Sequence, residues 1–257
     1  MFKELYQYRE LLKTSIKKEI RGKYKASALG VAWSFINPLL QVLVYAIVFP
    51  YILGNRVDNY IVYLVSGIIP WTFFQTTLNQ SVSCIRNNYG IIKKVYFPRV
   101  ILPISVVCSG LVNFMISCII ILLFSLIWGV GISWHIIFVP LIALIEGMFA
   151  LGVGMALGAA DAYFQDLEYF VMFLLQLLFY GSPIVYSIDQ FSSAHMVVKL
   201  IRINPMTVMI NAYRDCFLYH QIPDFMALGL TALFSFAVLV IGYLIFKKLE
   251  KGFAEQL

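Results

Sequence analysis

Long uncharged runs separated by short polar gaps order this chain. Val31–Leu53 holds 23 residues without a charge, Tyr60–Gln80 holds 21, and Val100–Ile145 holds 46. A helix that crosses the hydrocarbon of a bilayer needs about 20 apolar residues, so the 46-residue run exceeds one crossing. Its break falls at Gly129–Trp134 (GVGISW), where two glycines and a Trp mark a turn at headgroup level. The pattern predicts six transmembrane helices, at about 31–53, 60–80, 100–128, 136–160, 169–188 and 225–246. The fifth contains Gly181-Ser182-Pro183 and is short for a full crossing if that step ends the helix. A half-helix or re-entrant segment accounts for such a run.

Before the first run, apolar residues fall at Phe2, Leu5, Tyr8, Leu12, Ile16 and Ile20. Steps of three and four put them on one helical face. Residues 1–30 also carry eight cations against three acids. An apolar stripe opposed by lysines predicts a helix lying in the membrane interface; packing on a soluble partner explains the stripe but not the lysines. The stretch Arg21–Leu40 then carries the chain from this basic surface segment into the first run. Ser81–Arg99 is a second basic segment, with Arg86, Lys93, Lys94 and Arg99 and no acid. It predicts a short helix across the membrane surface between two spans. The expected organisation is 1–30 as surface helix and basic lead-in, and 31–257 as the spanning domain.

Composition agrees with the pattern. The chain is 61% hydrophobic and 12% charged, against about 25% charged in soluble domains. The net charge of +6 does not point to nucleic acid, because the cations sit in gaps between apolar runs and not on one polar face. Their distribution sets an orientation. With six spans, fifteen of the 19 Lys and Arg lie on the side of the termini and four on the other, so both termini are expected to be cytoplasmic. Cys84, Cys108, Cys118 and Cys216 form no CxxC pair and are expected to be small apolar fillers. The first apolar run is too long for a cleavable signal.

Candidate chemistry is sparse. No phosphate-binding G-x-x-x-x-G-K-[ST] loop occurs. His135, His195 and His220 are far apart, and no metal-ligand spacing is present. Glu146 is the lone ionisable residue inside a predicted span, which leaves a functional carboxylate or a structural hydrogen bond as readings. A membrane-bound transferase needs clustered acids or a nucleotide site; Asp161, Asp166 and Glu168 are the one local cluster and show no metal pattern. The chain has 21 Phe, 16 Tyr and 4 Trp, and such rings can stack on sugar faces.

Four groups of residues resemble the membrane subunit of ABC-2-type exporters of polysaccharide (O-antigen, capsule and teichoic acid). They are Arg21 with Lys23-Tyr24-Lys25, Ser27, Leu29-Gly30, Trp33 and Pro38-Leu39; Phe97-Pro98-Arg99 with Pro103; Ser182-Pro183-Ile184 with Tyr186; and Asn204-Pro205 with Tyr213-Arg214. One departure is Phe164-Gln165-Asp166, where the family often has an aromatic residue, Arg and Asp.

The resemblance implies an all-α membrane permease that pairs with a second copy of itself and docks two cytoplasmic ATPase subunits. The chain itself would bind no cofactor; ATP and Mg would sit in the partner ATPase, and this subunit would not be an enzyme. Tyr89, Gly90, Ile91, Ile92, Lys93, Lys94, Val95, Tyr96, Phe97 and Pro98 would form the coupling helix. Leu29, Gly30, Trp33, Asn37 and Pro38 would begin a gate helix leading into the first span. Re-entrant outer helices would hold Ser182, Pro183, Tyr186, Asn204, Pro205, Tyr213 and Arg214. The implied substrate is a glycan on an undecaprenyl-diphosphate carrier in the bacterial cytoplasmic membrane; an ABC-2-type permease for another lipid or a drug-like molecule is the alternative. Arg21, Lys23, Lys25 and Arg86 suit a diphosphate at the cytoplasmic mouth, and they equally suit anchoring to anionic lipid.

Overall fold

The computed structural model describes residues 6–22, 33–53, 58–164, 166–188 and 196–253. Lys23, Lys25, Leu29 and Gly30 lie outside these described residues. Among them the structure is all helix and turn, without a strand. The elements are α1 (Arg9–Gly22), α2 (Trp33–Leu53), α3 (Tyr60–Asn87), α4 (Tyr89–Ile92), α5 (Ile101–Ile127), α6 (Val139–Asp161), α7 (Leu167–Tyr180), α8 (Met196–Ile203), α9 (Pro205–Arg214) and α10 (Phe225–Leu249). Short 3-10 turns precede α6 and follow α10, and a π turn, Asp215–Tyr219, follows α9.

Four helices among the described residues are long and apolar enough to cross a membrane: Tyr60–Asn87, Ile101–Ile127, Trp134–Asp161 and Phe225–Gly252. Two shorter apolar helical segments, Ile36–Phe49 and Leu167–Tyr180, lie in α2 and α7. At about 1.5 Å per residue, the 14 residues of α7 reach about 21 Å, less than the roughly 30 Å of hydrocarbon. The helix stops at Gly181, in the Gly-Ser-Pro step, and the chain turns there.

The long helix α3 is the centre of the bundle. Nineteen of its 28 residues are buried, and it packs on α2, α5, α6 and α9. It passes the expected end near Gln80 without a break and takes in Arg86. Aromatic rings fix its neighbours: Phe73 meets Phe114 of α5 at 5.1 Å, Phe74 stacks on Phe149 of α6 at 5.5 Å, and Trp71 meets Phe179 of α7 edge-on at 5.8 Å. Such pairs add about 0.5–1.5 kcal/mol each beyond their burial. The turn after α5 uses Gly129 and Gly131 at φ 74° and 84°, a backbone that β-carbon-bearing residues avoid. Asp224 starts α10 by accepting from the N–H groups of Met226 and Ala227 at 2.9 and 3.1 Å.

Small residues set the helix spacing. Gly154 and Gly158, the G-x-x-x-G pair of α6, both abut Ser81 of α3. Gly152 lies on another side of α6, where an added β-carbon would stand 2.6 Å from the backbone nitrogen of Leu239 in α10. Backbones this close gain dispersion contacts that lipid cannot replace. Gly152→Ala is therefore expected to lower the thermal midpoint of the detergent-solubilised protein, by about 1–3 kcal/mol of stability. Gly229→Ala in α10 meets open space and should leave the midpoint unchanged or raised. Equal effects of the two substitutions would contradict this packing.

Candidate functional site

Contacts between elements distinguish two ends of the bundle. One end holds α1, the connector 88–100 and the end of α10; the opposite end holds Tyr60, the 181–188 turn and α9.

The opposite end is built around a buried cation. Arg214 is 1% exposed. Its guanidinium carbon lies 3.4 Å from the centre of the Tyr63 ring, and its Nη2 donates to the Ile184 carbonyl at 2.9 Å. Gly67 makes the room: a β-carbon there would stand 2.8 Å from Nη2. A cation–π contact without solvent is worth about 2 kcal/mol or more, and a hydrogen bond from a charged donor about 1.5–3 kcal/mol. The tyrosines of α3 hold the same turn. Tyr63 donates to the Tyr186 carbonyl at 2.7 Å and Tyr60 to the Val185 carbonyl at 2.8 Å. Asn204 completes the unit, with its Nδ2 3.0 Å from Ser182 Oγ and its Oδ1 capping Met206 N at 3.0 Å, while Pro205 occupies the first turn of α9. Ser182, Pro183, Tyr186, Asn204, Pro205, Tyr213 and Arg214 are thus brought together. Tyr60 and Tyr63, which sequence reasoning missed, are what bring them there.

Next to this unit, Glu146 is fully buried and accepts from the Tyr213 hydroxyl at 2.8 Å. The carboxylate joins α6 to α9, as a structural hydrogen bond within the bundle would.

At the connector end, Arg86 of α3 reaches the acidic gap after α6. It pairs with Asp161 at 3.8 Å and with Glu168 in closer contact. Asp161 is 1% exposed. Two of the three acids that lack a neighbouring cation in sequence, Asp161 and Glu168, are therefore met by one from α3. Arg86, expected among the cations at the diphosphate, is engaged by these two acids. Arg21 ends α1 exposed. On the same helix Lys13 hydrogen-bonds Glu10 and holds its carboxyl below the usual range. Trp33 and Asn37 of α2 are exposed and Pro38 is buried.

The connector has two faces. Ile92 and Phe97 are buried beneath it, and Asn88 ties it back by donating to the Cys84 carbonyl at 2.8 Å and accepting from Lys18 of α1 at 2.7 Å. Lys93 Nζ lies 4.1 Å over the Tyr89 ring. On the outer face Ile91, Val95 and Tyr96 are exposed, Tyr96 at 90%; Gly90, Lys93 and Lys94 are exposed beside them, and Pro98 is half-buried. The end of α10 braces this loop. Arg99 donates to the Glu250 carbonyl and stacks on Phe253, and Tyr163 donates to the Leu249 carbonyl at 2.8 Å.

Arg214→Lys should destabilise the detergent-solubilised protein by about 2–3 kcal/mol in thermal unfolding, since an ammonium cannot both cover the ring and keep the hydrogen bond to Ile184. Tyr60→Phe, which removes one neutral hydrogen bond, should cost about 1 kcal/mol. A melting point unmoved by Arg214→Lys would contradict the geometry.

Comparison with known proteins gives the arrangement a family. The ABC-2 type transporter family matches residues 10–218. The chain is similar to the O-antigen export system permease protein RfbA of Myxococcus xanthus, at 32% identity over 257 residues, 100% of this chain and 99% of that protein. It is similar to the protein of the same name from Klebsiella pneumoniae, at 32% over 250 residues, 96% of this chain and 95% of that one. It also resembles the polysialic acid transport protein KpsM of Escherichia coli, at 24% over 242 residues, 91% and 92% of the two chains. With a family match over most of its length and relatives aligned from end to end, the chain belongs to the ABC-2 type transporter membrane family.

Proposed function

We propose that this chain is the permease subunit of an ATP-driven ABC exporter. It moves undecaprenyl-diphosphate-linked polysaccharide, of the O-antigen, capsule or teichoic acid type, across the bacterial cytoplasmic membrane. The observation that carries this reading is the end-to-end similarity to permeases named for O-antigen export. In this reading α2 and α7 complete six spans, with α7 continued by the re-entrant turn and by α8 and α9. The cation count favours cytoplasmic termini, so the connector end faces the cytoplasm and the Arg214 unit closes the pathway outside. Two copies pair, and each docks one ATPase subunit, which supplies ATP and Mg.

The exposed apolar face of Ile91, Val95 and Tyr96 supports the coupling role of the connector. An apolar patch rimmed by two lysines fits a cleft on a partner, while Ile92 and Phe97 below it transmit a push into the bundle. Arg21, Lys23 and Lys25 are assigned to the diphosphate at the mouth. Arg86 instead holds α3 to the acidic gap.

Deleting the chain from its host should abolish surface glycan, seen by staining intact cells, while lipid-linked glycan accumulates inside. The wild-type chain should restore it. The charge reversal Lys93→Glu with Lys94→Glu, or Gly90→Pro, should leave a membrane-inserted protein that restores less than about a tenth, as loss of a docking contact implies. Unchanged surface glycan after deletion would overturn the function; full restoration by the charge-reversed chain would overturn the coupling role.

A further inference from the structure

One face of α3 is at odds with the rest of that helix. Thr72, Thr76, Gln80, Ser83 and Asn87 follow one another in steps of four, four, three and four, so they lie in a line along the helix. A polar line along a spanning helix is costly against lipid, and these residues do not face lipid alone. They line two cavities. One, of about 250 Å³, lies between α2, α3 and α5 and is bounded by Trp33, Asn37, Thr72, Thr76 and Asn113. The other, of about 400 Å³, lies between α1, α3 and α5 at the connector end and is bounded by Lys18, Glu19, Ser83 and Asn87. Gln80 lines both, so the two cavities lie one after the other along the same face of α3.

Two buried side-chain oxygens of α3 have no hydrogen-bond partner: Gln80 Oε1, which lines both cavities, and Thr77 Oγ1. Thr77 packs against Gly110, which lines the first cavity. A buried polar atom left unpaired costs about 1–3 kcal/mol, and a ligand with hydroxyl donors removes that cost. The lining is chemically specific. Among the described residues beyond Lys18 and Glu19, it holds amides, hydroxyls and the rings of Trp33, Phe73 and Phe114, and no charge. Lys18 already donates to Asn88. A phosphate needs cations; a neutral polyol needs donors, acceptors and apolar faces to stack on. The cavity of about 400 Å³ beside α1 falls among small-molecule pockets, about 300–1,000 Å³.

We propose that this face of α3 is a sugar-reading track, in which Thr76, Gln80 and their neighbours hydrogen-bond the hydroxyls of the carrier-proximal sugar as a lipid-linked glycan leaves the inner leaflet. The inference rests on the export reading above. It adds that the permease itself discriminates sugar-bearing carrier from bare carrier.

The test uses the full chain with its ATPase in lipid nanodiscs. Two probes are compared by equilibrium binding: undecaprenyl-diphosphate-N-acetylglucosamine and undecaprenyl diphosphate without sugar. The wild type should bind the sugar-bearing lipid about 10-fold tighter, the scale of one or two neutral hydrogen bonds. Thr76→Val with Gln80→Met should reduce that ratio below about threefold and leave bare-carrier affinity unchanged. Thr76 is exposed on α3, so Thr76→Val alone should fold as the wild type does and lower the ratio part of the way, while Thr76→Ser should keep it. If the folded double variant keeps the full ratio, or loses both lipids equally, the track is refuted while the export function stands. If the wild type binds neither lipid, the export reading falls with it.

Discussion

A guanidinium buried away from water has to be held by what surrounds it, and one end of this bundle is shaped by that requirement. Arg214 gives up its hydration and takes in exchange the Tyr63 ring and the Ile184 carbonyl. Removing either partner would leave a buried charge poorly met, at several kcal/mol. The requirement spreads outward. The 181–188 turn must fold so that the Ile184 carbonyl points inward, and Tyr60 and Tyr63 hold it there through neighbouring carbonyls. Asn204 must then bind Ser182 and cap α9, which returns Arg214 to its place. Gly67 on α3 is the space this closed set of contacts needs.

The other end is held by weaker and more varied contacts, and part of it is exposed. Its connector is anchored from below by Ile92 and Phe97 and from the side by Arg99 against Glu250 and Phe253. Above those anchors lies an apolar surface with nothing on it among the described residues. A rigid, solvent-free unit at one end and an anchored, exposed loop at the other are joined by α3, buried for most of its length. A force on the connector therefore acts on the same helix whose far end carries Tyr63. That continuity gives the proposed coupling a physical path.

Much of the helical layout was legible because charge is scarce. The basic connector 88–100 and the acidic gap after α6, with the glycines at 129 and 131 and the step at 181–183, mark places where helices turn. What was not legible depends on partners distant in sequence. Gln80 looked like the end of a span because Arg86 follows it; α3 continues because Arg86 finds Asp161 and Glu168 in space. The signal was present on both sides, an acidic gap with no cation and a lone arginine after an apolar run, but nothing local joins them. Nothing local singles out Tyr60 and Tyr63 in their uncharged run, and only the return of the 181–188 turn gives their hydroxyls a role. The polar line on α3 has helical spacing in plain view, yet it stays unremarkable until α2 and α5 leave cavities beside it.

Vectorial export of a lipid-linked glycan is measured most directly by reconstituting this chain with its ATPase in sealed vesicles carrying a labelled undecaprenyl-diphosphate glycan on the ATP-accessible leaflet. The label should become accessible on the opposite side only when ATP is hydrolysed. Label that stays in place while ATP is consumed by intact vesicles would contradict it.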